Sequence, residues 1–217
     1  MKIHYDLIQG SEEWHKARAG KITGSPVHSL ITPKELKLSK SETAQGLYRK
    51  TAYELKNDIS LSSIFGSVDT WQMKEGRQYE PEAREWFCKQ NNCGIDWLKV
   101  GFVDSGELFG ISPDYLQIDF DENILSGLEI KCPQSVNGYT ELHGIKEGSE
   151  LRARKFDYYA QVQLCMYVCR CDYWHFLSYV NREMRKKGAK CTQFVVEKDT
   201  KIFEVFGVIE KYFLENY

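Results

Sequence analysis

Two carboxylates that can share one divalent cation, with a lysine two residues beyond the second, are the residues of this sequence best suited to chemistry. Asp114 follows Pro113, fourteen residues separate it from Glu129, and Glu129-Ile130-Lys131 lies within the apolar run 125–132. Side chains at i and i+2 of a strand share a face, so Glu129 and Lys131 project together while Ile130 turns toward the core. With Asp114 on a neighbouring strand, the three charges converge. Oxygen donors of this kind suit magnesium, which keeps several waters and needs one or two protein carboxylates beside a phosphate. Such an ion polarises a phosphoryl oxygen and acidifies a bound water. An ammonium beside it positions that water and stabilises developing negative charge. The set fits metal-assisted hydrolysis of a phosphodiester; a turn proline and a surface salt bridge on a strand are the plainer account of the same residues.

Three further features bear on that choice. Glu80, in Gly76-Arg77-Gln78-Tyr79-Glu80, can reach the same ion from a helix or simply face solvent. Gln161 lies on an otherwise apolar helix with Tyr158 three residues earlier on the same face. A buried amide needs a partner, and an active-site carboxylate or a backbone carbonyl would serve. Gln9-Gly10-Ser11-x-x-Trp14-x-x-x-Arg18, followed by Ile22-Thr23-Gly24-Ser25, places an arginine near hydroxyl groups. That combination can hold a terminal phosphate through charge-assisted bonds, or can be a helix cap with a surface arginine.

The chain that must position these groups has 217 residues, 42% of them hydrophobic and 28% charged, which excludes wholesale disorder and predicts one domain, 1–217. No apolar run reaches the ~20 residues of a membrane span, and the N-terminus lacks the apolar stretch of a secretion signal; a cytoplasmic protein with no membrane partner is expected. The balance of 29 Lys+Arg against 31 Asp+Glu argues against a passive nucleic-acid coat, which is usually basic. Seven cysteines without zinc-type pairs predict reduced thiols on or near a helix core.

Residues 12–19 read as a short helix capped by Ser11, residues 25–31 as a second with Pro26 at its first position, and residues 32–39 as a loop. A longer helix over 41–57 places Ala44, Leu47, Thr51 and Leu55 near one face. Residues 71–90 are helical around Pro81, which either kinks the helix or starts a new segment, with Ala83, Trp86 and Phe87 as its stripe. Short β-type runs follow at 100–104, 108–111, 114–118 and 125–132, separated by turn residues and read as a meander. An apolar helix over 156–170, strands at 173–180 and 192–197, and a closing helix over 200–215 complete an α/β layered domain. The loop between the last two strands holds Arg182, Arg185, Lys186, Lys187 and Lys190 against Glu183. It reads equally as a phosphate-backbone contact or as a solvated hairpin tip.

From Gln9 to about Glu197 the sequence resembles the phage lambda exonuclease family, the YqaJ-type viral recombinases within the PD-(D/E)XK nucleases. The matching pieces are Trp14-His15-Lys16-Ala17-Arg18-Ala19-Gly20 with Ile22-Thr23-Gly24-Ser25, then Gly76-Arg77-Gln78-Tyr79-Glu80 with Ala83-Arg84. Ser112-Pro113-Asp114, Leu128-Glu129-Ile130-Lys131-Cys132-Pro133 and Ala160-Gln161-Val162-Gln163 follow in order. The resemblance implies a restriction-endonuclease-like core, a central mixed β-sheet flanked by helices. It implies a magnesium-dependent exonuclease, with manganese as a substitute ion, that degrades the 5′-ended strand at double-stranded DNA ends. The remaining 3′ single strand would pass to a single-strand annealing protein, and the enzyme would form a homotrimer ring. Asp114 and Glu129 would hold metal with the Ile130 carbonyl, Lys131 would orient the attacking water, and Glu80 and Gln161 would support them. Arg18, Ser25 and Ser112 would cradle the 5′-phosphate, with Tyr158 as a further substrate contact. Asn137 stands where the lambda member carries an arginine near that phosphate, and Cys165 where many wider relatives carry tyrosine, a change read as packing variation. The cysteines do not follow an iron–sulfur pattern. An endonuclease on the same core, or a silent DNA-binding recombination scaffold, are the alternatives. A scaffold, however, has no need of converging acids that repel phosphate.

Overall fold

Strand pairing divides the β-segments between two sheets in this computed structural model, which describes residues 1–66, 71–94 and 96–217. Three strands, β1 (Lys2–His4), β3 (Phe102–Asp104) and β4 (Gly110–Ile111), form a small antiparallel sheet in the order β1-β3-β4. The larger sheet runs β2-β5-β6-β7-β8, built from Trp97–Leu98, Tyr115–Ile118, Ile124–Lys131, Tyr173–Ser178 and Thr192–Glu197. The expected meander over residues 100–132 is therefore corrected: its first two strands join the N-terminus, and its last two enter the main sheet. Pro113 sits at the divide. Proline has no N–H for a ladder and restricts the residue before it, so the chain changes sheets there. A three-residue β1 is too short to carry a periodic signal, which is why the sequence did not show the partner that claims β3.

All pairs in the main sheet are antiparallel except β6 with β7. A parallel pair requires a crossover, here made by α5 (Val136–Leu142), α6 (Gly148–Arg154) and α7 (Phe156–Cys169). Nine of the fourteen residues of α7 are buried, the mark of a helix enclosed on most sides. It lies in the larger apolar core together with α9 (Thr200–Asn216), through Val162, Met166, Phe206 and Trp174. On the other face α4 (Trp71–Asn91) covers Tyr115, Leu128 and Leu177 with Ala83 and Phe87, and Trp86 packs at the margin. One helix carries through Pro81, so neither a break nor a new segment occurs there. The result is the expected mixed sheet flanked by helices.

Helix starts follow local chemistry. Ser11 caps α1 (Glu12–Arg18) and Ser41 caps α2 (Glu42–Asn57), each side chain accepting a hydrogen bond from the N–H three residues on. The segment after Pro26 is a 3₁₀ turn, Val27–Leu30, preceded rather than opened by the proline; a stretch this short favours the tighter helix. In α2 the buried seat expected for Leu55 belongs to Glu54, which is 3% exposed, while Leu55 is 52% exposed. The Glu54 carboxylate accepts from the backbone N–H groups of Gly20 and of Leu61, the first residue of α3 (Leu61–Phe65). Two backbone donors thus outrank one apolar contact, because a buried unmade hydrogen bond costs about 1–3 kcal/mol. The basic loop after β7 folds as α8 (Arg182–Lys186), capped by Asn181.

Candidate active site

Register places the acids together. Tyr115 of β5 lies opposite Leu128 of β6, so Asp114, one residue before Tyr115, comes level with Glu129. Beyond that point β5 supplies no backbone partner, and the Ile130 N–H donates instead to Asp114 Oδ2 at 2.6 Å. The N–H and C=O of one strand residue point to the same side. The Lys131 carbonyl accepts from Tyr179 on the β7 side, so the Ile130 carbonyl faces the Asp114 side. Lys131 Nζ donates to Glu129 Oε1 at 2.5 Å and to Gln161 Oε1 at 3.2 Å, and Gln161 Nε2 donates to Glu129 Oε1 at 2.8 Å. Gly24 helps to set the glutamine, since a Cβ there would stand 3.0 Å from Gln161 Cγ.

These groups are largely withdrawn from water: Glu129 is 3% exposed and Glu80 8%. Burial pushes the Asp114 carboxyl well above its ordinary value; Glu129 and Glu80 add to the rise, and Lys131 and the Ile130 N–H oppose it. For Lys131, burial works against the ammonium, but Glu129 and Asp114 outweigh it and the net shift is upward. Lys131 Nζ also stands 4.6 Å from the centre of the Tyr158 ring, with Lys155 Nζ at 5.0 Å. Glu80 reaches the site from α4 and is held by Lys99 Nζ at 2.5 Å.

The donor set fits a magnesium-type ion. Among the described residues, no hydrogen bond engages the second oxygen of Asp114 or of Glu129, and both residues line one cleft. Burial and mutual repulsion leave excess negative potential there. No group of three or more His, Cys, Asp or Glu among the described residues is arranged to hold a metal. On the ligand set that the family resemblance implies, the protein's share would be two carboxylates and the Ile130 carbonyl, few ligands of the hard oxygen kind that magnesium accepts alongside its waters.

The cleft encloses about 1110 Å³. Its far wall is built on α1, where Arg18 lies over the Trp14 ring at 4.0 Å. Arg18 donates to Ser112 Oγ at 2.8 Å and to Thr23 Oγ1 at 3.2 Å. Trp14 Nε1 donates to the same Ser112 oxygen at 3.0 Å and to the Gly101 carbonyl at 3.1 Å. Burial draws the Arg18 guanidinium down to about 10 against the pull of Glu54, so it stays cationic at neutral pH. Ser25 is exposed on the rim, and Tyr158 lines the cleft.

Asp114, Glu129, Ile130, Lys131, Glu80, Gln161, Tyr158, Arg18, Ser25 and Ser112 therefore all face a single cleft. Sequence reasoning gave no role to Trp14, Thr23, Lys99 or Cys165, which lines the cleft while 2% exposed. Trp14 and Thr23 stood inside the motif around Arg18; nothing local marked Lys99. Asn137 is exposed on α5. All seven cysteines are free thiols.

A profile of the YqaJ-like viral recombinase domain matches residues 13–172. No curated protein sequence matches the chain. Among solved structures, the chain is similar to an alkaline exonuclease, LHK-Exo, from Laribacter hongkongensis: identity is 24%, the TM-score 0.68, and 94% of this chain and 91% of that one are covered. The same enzyme in complex with dAMP matches at 22% identity, with a TM-score of 0.65 over 94% and 95% of the two chains. A phage-related exonuclease from Haemophilus somnus 129PT matches at 15%, with a TM-score of 0.59 over 90% and 94%. These likenesses are ones of fold.

Proposed function

The chain belongs to the YqaJ-like viral recombinase family, and from that premise we propose that it is a magnesium-dependent exonuclease that degrades the 5′-ended strand of linear duplex DNA. The observation that carries this reading is the cleft in which Asp114 and Glu129 stand beside Lys131 and Gln161. Solved structures of the same fold described as exonucleases support it, as does the one in complex with dAMP.

Asp114, Glu129 and the Ile130 carbonyl would hold the ion, with manganese as a substitute and Glu80 in support. Bound there, magnesium would polarise the scissile phosphate and lower the pKa of a water. Glu129 and Gln161 fix the Lys131 ammonium in place; it orients the attacking water and meets negative charge as it develops on the phosphate. Gln161 bridges the lysine and the glutamate, so both keep one geometry without solvent reorganisation. Arg18, Ser112 and Ser25 hold the phosphate of the strand end by charge-assisted bonds, and Tyr158 contributes a ring face at the Lys131 side.

The proposal extends to delivery of the 3′ strand to a single-strand annealing protein in phage recombination, within the host cytoplasm, and to a homotrimer ring around DNA. Sedimentation at three times the chain mass checks the ring. The function itself is tested by digestion of linear and circular duplexes with each strand end separately labelled. The expected result is loss of 5′-end label from the linear DNA with magnesium, an intact circle, and no reaction in excess EDTA. Cleavage of the circle would make the protein an endonuclease, binding without cleavage a scaffold, and full activity in EDTA would remove the metal.

A further inference from the structure

The segment between β1 and α1 is pinned at both ends. Gly101 N donates to the His4 carbonyl at 3.0 Å, and a Cβ on Gly101 would lie 2.0 Å from the Leu7 carbonyl oxygen, so Leu7 rests directly on bare backbone. Downstream, Ser11 N donates to the Ile8 carbonyl at 3.0 Å, and the Ser11 side chain caps α1. Gln9 sits in the turn between these anchors and lines the same cleft as Trp14, Arg18 and Ser112. Its Nε2 is buried and has no hydrogen-bond partner among the described residues. An amide donor left this way costs about 1–3 kcal/mol. On the wall of a substrate cleft, that cost is offset once a ligand brings an acceptor.

The neighbouring groups identify the acceptor. Arg18 has five N–H donors in a fixed fork, and its stack on Trp14 and bonds to Ser112 and Thr23 hold that fork still. A cation and a neutral amide donor lining one cleft suit an anionic group with several acceptor oxygens. Ser112 lies two residues before Asp114, so their Cα atoms are at most about 7 Å apart. An anion on this wall is thus a near neighbour of a phosphate at the carboxylates. In a strand entering by its end, the phosphate next to the one undergoing hydrolysis is the terminal one.

We propose that Gln9 is a positioning residue that donates a hydrogen bond to the phosphate at the 5′ end of the bound strand, beside Arg18. The proposal rests on the nuclease reading above but is measured without turnover. Affinities for duplexes ending in 5′-phosphate or 5′-hydroxyl are compared in EDTA by fluorescence anisotropy, for the wild type, Gln9→Ala and the near-isosteric Gln9→Glu, with folding followed by circular dichroism. The wild type is expected to favour the phosphorylated end by about tenfold or more, the scale of hydrogen bonds to a charged group. Gln9→Ala should cut that preference severalfold, leaving the part that Arg18 supplies, without changing affinity for the hydroxyl end. Gln9→Glu, which replaces a donor with a like charge, should reverse it. No preference in the wild type, an unchanged preference in both variants, or an equal loss on both ends would overturn the proposal. Failure of the nuclease reading shows separately, as no magnesium-dependent digestion of either duplex by the wild type.

Discussion

Lys131 owes its position and its charge to neighbours rather than to solvent: Glu129 and Gln161 hold the ammonium, and two carboxylates keep it protonated despite burial. Lys131→Ala should therefore bind linear duplex in EDTA about as tightly as the wild type. Single-turnover cleavage with magnesium should fall by about a hundredfold or more, since the loss is of an interaction made in the transition state. Equal losses of binding and cleavage would place the lysine in substrate capture instead. A second test concerns thiols. Burial pushes the Cys171 thiol up to about 12, and burial with the Cys88 neighbour does the same for Cys93. A raised pKa leaves little thiolate at pH 8, and the thiolate is the reactive form. Alkylation of the native protein at pH 8 should be slow at these two positions, should speed up as pH rises, and should become rapid at all seven cysteines in denaturant. Fast native-state labelling of Cys93 and Cys171 would contradict that environment.

At the scale of elements, α7 assigns different tasks to two glutamines of similar appearance. Gln161 faces the cleft. Gln163, fully buried, donates from Nε2 to the Glu197 carbonyl at 2.8 Å and accepts from Asp199 N at 2.9 Å, tying α7 to the end of β8 and the start of α9. Gln163→Leu leaves both backbone groups without a partner and should cost about 2–4 kcal/mol in a denaturant melt, with cleavage per folded molecule unchanged. Gln161→Leu should do the reverse, melting near the wild type and cleaving slowly. The basic segment also gains definition as an element. Arg185 of α8 pairs with Glu82 and Lys186 with Glu183, whereas Arg182, Lys187 and Lys190 are exposed with no ion pair among the described residues. The Lys190 N–H donates to the Tyr139 hydroxyl on α5, which sets these charges beside a helix that contributes to the cleft wall. Replacing the three with alanine should weaken duplex binding and reduce the slope of log K against log salt by about 0.9 for each DNA phosphate that is no longer neutralised. An unchanged slope would make the segment a solvated turn.

The whole molecule holds three carboxylates, Asp114, Glu129 and Glu80, along one cleft, and their mutual repulsion costs the fold stability, as functional sites commonly do. Magnesium at a hundred times its dissociation constant stabilises a folded protein by about 2.7 kcal/mol, which for a chain of this size raises the melting temperature by roughly 5–10 °C. Asp114→Asn removes one repelling charge, so it should melt above the wild type without metal and show no increment with it. The crossed pattern is read by calorimetry with and without magnesium, and a magnesium shift that survives in Asp114→Asn would exclude Asp114 as a ligand.

The sequence alone determined what depends on near neighbours. Glu129 and Lys131 share a face because strand side chains alternate, Ser11 caps because a short hydroxyl side chain meets an open backbone N–H, and α7 is apolar almost throughout. Only the tertiary structure decided the rest. Arg18 meets Ser112 across 94 positions and Gln161 meets Glu129 across 32, pairings that no local period encodes. Glu54 took the buried seat of Leu55, and β3 and β4 left the expected meander for β1, because backbone donors and strand edges far along the chain claimed them. Side-chain type and spacing fix which groups can act. Burial, which sets the charge each carries, and register, which sets what it faces, are properties of the assembled fold.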